Sequence, residues 1–165
     1  MTNIVDLVNM DLTNLQREKV ASLIERIGSE YEYEIVPVKV EDYSKPLSCF
    51  PNVEKKVCLD GGSIYYGWKV HFGNYIAEAE RHAVWMNDDD ELICITPTEK
   101  KEKSIIFIPD NRPVDNKEQI DNIRLNITGR AIVDFWISLC CIYRCITGHL
   151  YRRYRSNCIG DCGPV

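Results

Sequence analysis

The sequence has no surplus of basic residues: 20 Lys plus Arg stand against 25 Asp plus Glu, a net charge of −5. A dedicated nucleic-acid binder normally carries the opposite balance, so no specific nucleic-acid partner is expected. Residues 1–14 (MTNIVDLVNMDLTN) hold no basic stretch, no sustained apolar run and no small-residue cleavage site. That predicts no signal peptide and a cytoplasmic location. No Gly-rich turn ends in Lys-Ser/Thr, so Gly61, Gly62 and Gly67 are expected to serve turns and a bulge, not phosphates. Internal repeats and low-complexity tracts are missing too. The most apolar stretch, 131–147, falls short of the roughly 20 clean residues of a bilayer span. It also contains Asp134 and Arg144, each costing about 2.5–3.5 kcal/mol near a membrane centre.

What is present suits one ordinary domain: 165 residues, 45% apolar and 27% charged, enough to bury a real core. The charge is uneven. Residues 129–165 carry 5 basic and 2 acidic side chains (+3), against −8 for residues 1–128. Eight cysteines are many for this length, and five lie beyond position 139. Without export they are expected as reduced thiols, catalytic groups or metal ligands rather than a disulfide framework.

Four segments are expected. In 1–29, Leu12, Leu15, Val20, Leu23, Ile24 and Ile27 recur at helical spacing, with Asp11 as a cap and Gly28 as a stop. Residues 30–110 form an α+β core, a helix packed on an antiparallel sheet of four to five strands. Its strands are read at Tyr31–Val40 (an edge strand, because of Pro37), Ser63–Val70, Tyr75–Trp85, Leu92–Thr96 and Ser104–Ile108, the last four as a meander. Its helix begins at Cys49–Phe50–Pro51, Pro51 suiting a first turn. Residues 111–127 read as a polar linker, and 128–165 as an amphipathic helix with a Cys-rich basic tail.

The stretch from Cys49 to Thr96 can carry chemistry. A helix N-terminus favours a thiolate, which predicts a lowered pKa for Cys49. His82, on a strand 33 residues later, is the candidate base, and a third group should orient its ring. Strand alternation places Ile76, Glu78, Glu80, His82 and Val84 on one face, which should border water, a cleft or a metal. A cysteine before a helix and a lone histidine are more often structural than catalytic; order and parity together raise the catalytic reading.

This order resembles that of the papain-like and transglutaminase-like cysteine enzymes. In the transglutaminase-like core a strand pair reads His-Ala-Trp, a turn, then an apolar strand ending Asp-Pro-Thr. Here the text is His82–Ala83–Val84–Trp85, Asn87–Asp90, and Leu92–Ile93–Cys94–Ile95–Thr96–Pro97. It also resembles a group of uncharacterised bacterial and viral proteins with a Cys-x-x-Asn-Val, Gly-Gly, Gly-Trp, Glu-x-x-His-Ala-Val-Trp and Thr-Pro skeleton. The likeness covers Cys49 to Asp110. It implies a small cysteine-dependent acyl-transfer enzyme (hydrolase, deamidase or transglutaminase-like) acting on a protein or peptide substrate, with no required cofactor. It departs from the pattern at Cys94, which stands where the orienting acid is expected; Glu80 or Asn52 are the substitutes.

The rival expectation is a non-enzymatic binding protein on the same scaffold. In that reading Glu78, Glu80 and His82 line a ligand cleft or, with Cys49 or Cys94, a zinc site. A second zinc set is Cys141, Cys145 and His149, at i, i+4, i+8 of the C-terminal helix, with Cys158 and Cys162. Its tail resembles the zinc tails of some members of that group, but lacks their Cys-x-Cys and closing cysteine pair. The +3 helical tail could also dock a partner or an acidic membrane surface.

Overall fold

The computed structural model describes residues 11–110, 112 and 121–143. Helix α1 (Asn14–Ile27) starts at a capping box: the Gln16 N–H donates to Thr13 Oγ1 (3.2 Å), and the Thr13 N–H donates to Gln16 Oε1 (2.8 Å). Thr13, not Asp11, is therefore the cap, because only Thr13 has a Gln three residues on. Gly28 ends the helix in the left-handed conformation, φ +71°. Val20, Leu23 and Ile27 form its buried stripe, each worth about 1.5–3 kcal/mol when fully buried.

Strand β1 (Glu34–Pro37) is shorter than the alternating run suggests, and Pro37 closes it. Helix α2 (Cys49–Asp60) follows, with Pro51 in its first turn and Gly61 after its end. Strands β2 (Ser63–Phe72) and β3 (Ile76–Met86) form a long antiparallel hairpin in register from Ser63↔Met86 to Phe72↔Ala77. The Asn87 carboxamide accepts the Asp89 and Glu91 N–H groups in the next turn, and β4 (Leu92–Ile93) pairs back on β3.

The meander ends there. Strand β5 (Ser104–Pro109) inserts between β1 and β2, giving the order β1-β5-β2-β3-β4. All six β5 residues are buried, and a short, unbroken apolar run suits a central strand covered on both faces. A sixth strand, β6 (Ile123–Asn126), pairs with β3 inside the stretch read as a linker. The flanking polar residues hid the alternation of Ile123, Leu125 and Ile127, which pack on the core. A parallel bridge between Val38 and Cys94 joins the two ends of the strand path. Helix α3 (131–143) comes last among the described residues.

These pairings position the site. The outer edge of β3 is covered by β6 at Ile76–Ala79 and by β4 at Trp85–Met86, leaving residues 80–84 without a strand on that side. On one sheet face Ala77, Ala79, Trp68 and Ile108 pack with the buried stripe of α1, while Ala83, Ile93 and Ile95 pack with Val53 of α2. The opposite face holds a third cluster, Val36, Val84, Cys94, Ile105 and Phe107.

Candidate functional site

Cross-strand register brings polar side chains of β2 and β3 to one face: Gly67 lies opposite His82, Lys69 opposite Glu80, and His71 opposite Glu78. This face and the start of α2 line a cleft of about 930 Å³, with Cys49, Lys69, His71, Glu78, Glu80 and His82 in its wall. Gly67 is required by close approach, since a Cβ there would overlap the Phe107 ring and the Ile108 carbonyl.

His82 is buried at 6% exposure, and its Nε2 lies 3.4 Å from Cys94 Sγ. Cys94 donates its S–H to the Thr96 carbonyl (3.7 Å), so its sulfur is left to accept from His82. That arrangement accommodates the tautomer with its proton on Nε2, which leaves Nδ1 as the basic nitrogen. Burial, then the charge of Lys69, pushes the imidazole down to about 4, with Glu80 pulling the other way. Burial pushes the Cys94 thiol up to about 11. Both groups are uncharged at neutral pH.

Cys49 is the first residue of α2. Burial raises its pKa, while the backbone N–H groups of Ala83 and Phe50 pull it down and lose. The direction is opposite to the lowered value expected from the helix terminus: desolvation of a half-buried sulfur outweighs the first-turn dipole. The Ala83 N–H that reaches toward Cys49 belongs to the strandless part of the β3 edge, one residue from His82. Among the described residues, the hydrogen bond of the His82 ring is to Cys94, not Cys49.

The other expected participants are engaged elsewhere. Glu80 lies 3.3 Å from His71 Nε2, and that contact, against desolvation, holds its carboxyl below the ordinary value. It reaches His82 through charge alone. Glu78 binds Arg124 (2.8 Å) and Asn122 (3.1 Å). Asn52 is buried, but its carboxamide accepts the Lys45 N–H (3.0 Å) and donates to the Lys45 carbonyl (2.8 Å) and Thr96 Oγ1 (3.0 Å). It therefore pins the loop before α2 to the residues after β4, and does not orient the histidine. Sequence reasoning missed Lys69, whose buried ammonium pairs with Glu102 (3.2 Å), and His71. Pairing the alternation of β2 with that of β3 would have found both.

No three His, Cys, Asp or Glu side chains among the described residues are grouped to hold a metal ion. Of the proposed ligands His82 meets one thiol, Cys94, while Glu78 and Glu80 are engaged with Arg124, Asn122 and His71 and do not join them. Of the C-terminal set only Cys141 is described, and it is exposed; Cys145, His149, Cys158 and Cys162 lie outside the described residues. No helix among the described residues is long and apolar enough to cross a membrane. Compared with known proteins, the chain matches no family model, no curated protein and no solved structure.

Proposed function

We propose that the protein is a small thiol-dependent acyl-transfer enzyme acting on a peptide, isopeptide or carboxamide bond. The observation that carries this is the convergence of a helix-start thiol and a buried, uncharged imidazole on one cleft, the ring held at Nε2 by Cys94. Cys49 is the nucleophile, His82 the general base and Cys94 the orienting group.

The resting pair is a thiol and a neutral imidazole, so the proton moves during attack. As Cys49 Sγ bonds to the carbonyl carbon, the thiol proton passes to His82 Nδ1 and the carbonyl π electrons move onto oxygen. The first-turn N–H groups of Cys49 and Phe50, which interact with the sulfur at rest, are the donors assigned to that oxyanion, Pro51 having none. When the intermediate collapses, the C–N bond breaks and the imidazolium returns its proton to the leaving amine. The thioester is then released by water (hydrolysis or deamidation) or by an acceptor amine (transamidation). A neutral thiol at position 94 offers less support to the imidazolium than a carboxylate, so turnover is expected to be slow.

The test is incubation of the full chain with glutamine-containing peptides, reading ammonia release and peptide cleavage. Activity lost in both Cys49→Ser and His82→Ala, with thermal midpoints retained, supports the proposal. A second reading, a binding protein whose cleft no longer reacts, is favoured by the thiol at Cys94. Peptide retention without turnover, unchanged by Cys49→Ser, would select it.

A further inference from the structure

Helix α3 (131–143) leaves an apolar stripe in solvent. Ile132, Phe135, Trp136, Leu139 and Ile142 are each between 47% and 68% exposed. At 3.6 residues per turn these five fall within about 120° of arc. Val133, Ile137 and Cys140, the buried and half-buried positions, occupy a separate arc, and Asp134 and Ser138 lie between the two. The stripe is therefore not the face by which the helix packs on its own domain.

Its sequence context has a sign. From 135 to 160 there is no Asp or Glu, while Arg144, Arg152, Arg153 and Arg155 all fall in this span. A chain of net charge −5 thus places an acid-free basic segment directly after an exposed apolar helix face. A second copy docked on the stripe would bring two such segments together, which like-charge repulsion opposes. An anionic lipid surface satisfies both features at once: the apolar stripe, with Trp136 as an interfacial aromatic, enters the headgroup boundary, and the arginines that follow in the sequence carry the charge that anionic headgroups attract.

We infer that α3 lies in the interface of an anionic membrane by the face of Ile132, Phe135, Trp136, Leu139 and Ile142, without crossing it. This is independent of the chemistry proposed for Cys49.

The experiment is co-sedimentation of the full chain with vesicles of phosphatidylcholine and phosphatidylserine in equal parts, and with vesicles of phosphatidylcholine alone. Binding is expected to the mixed vesicles, falling as salt rises, with a blue shift of emission that Trp136→Phe removes. Phe135→Ser combined with Leu139→Ser, at exposed positions that leave the core intact, should abolish it. Arg152→Gln with Arg153→Gln and Arg155→Gln should weaken it about a hundredfold at low salt. Equal binding to both vesicle types, or none to either, overturns the inference. So does a concentration-dependent dimer in sedimentation equilibrium that the Phe135/Leu139 variant dissolves, which would assign the stripe to a second copy.

Discussion

At the scale of single residues, the site is governed by desolvation. His82 titrates near 4 in the folded chain against an ordinary 6.5. A histidine whose folded pKa is depressed contributes stability that is fully present above 6.5 and lost as pH falls through the folded value. The full loss is about 3 kcal/mol. Denaturant unfolding of the wild type should therefore lose stability between pH 6.5 and 4 more steeply than that of His82→Gln; equal slopes would mean the ring is not held neutral. The thiols follow the same logic. Cys58 is exposed, whereas burial raises the pKa of Cys49. Iodoacetamide, which needs a thiolate, should label Cys58 before Cys49 at neutral pH, as read by peptide mapping. Preferential labelling of Cys49 would restore the helix-terminus argument that burial overrides here.

At the scale of elements, the β2–β3 hairpin supplies more of the cleft wall than any other element, and its close contact with β5 depends on Gly67. Gly67→Ala should destabilise the fold by about 1–3 kcal/mol through overpacking against Phe107 and the Ile108 carbonyl. The denaturant midpoint measures this, and an unchanged midpoint would show that β5 yields without cost. This hairpin is also the part most legible in the sequence. Glu78, Glu80 and His82 alternate at strand period, and Asn87–Asp90 is local turn chemistry, so parity predicted the shared face. Cys94 was legible for the same reason, directly after a short return strand. Less was legible where pairing is long-range. Nothing local to Ser104–Pro109 says that it crosses back between β1 and β2, and Ile123–Asn126 is too short to stand out from polar neighbours. The charge states at the site were not legible, because they follow from burial. Burial depends on how α2 and the Lys45 loop close over the sheet, a closure fixed by Asn52.

At the scale of the whole molecule, one carboxylate ties the sheet to α1. Asp110, buried just after β5, accepts from Trp68 Nε1 (2.8 Å) and pairs with Arg81 (3.0 Å) and Arg112 (2.7 Å). Arg112 in turn donates to the Ile27 carbonyl at the end of α1 (2.7 Å). Burial would raise the Asp110 carboxyl, but the hydrogen bonds from Arg112 and Trp68 and the charge of Arg81 bring it to about 2. Its contribution to stability is present above the ordinary 3.8 and is lost as pH falls through 2, below the window of His82. Asp110→Ala should cost about 3–5 kcal/mol, since the buried Arg81 loses its partner. Thermal unfolding checks this, and a loss below about 1 kcal/mol, the scale of an exposed ion pair, would show that the network is not buried in effect.

The account rests on Cys49 acting as an acyl acceptor activated by His82, and acylation tests it most directly. The full chain is mixed with a phenyl ester of a short acyl group, quenched in acid at successive times and mapped by mass spectrometry. If oxyanion donors and a neutral base do the activating, the acyl group should accumulate on Cys49 ahead of the exposed Cys58, even though iodoacetamide prefers Cys58. The Cys49 rate should persist from neutral pH down towards 4, where His82 takes up its proton, and should vanish in His82→Ala. Acylation of Cys58 first, or a Cys49 rate indifferent to His82→Ala, would contradict the proposed chemistry.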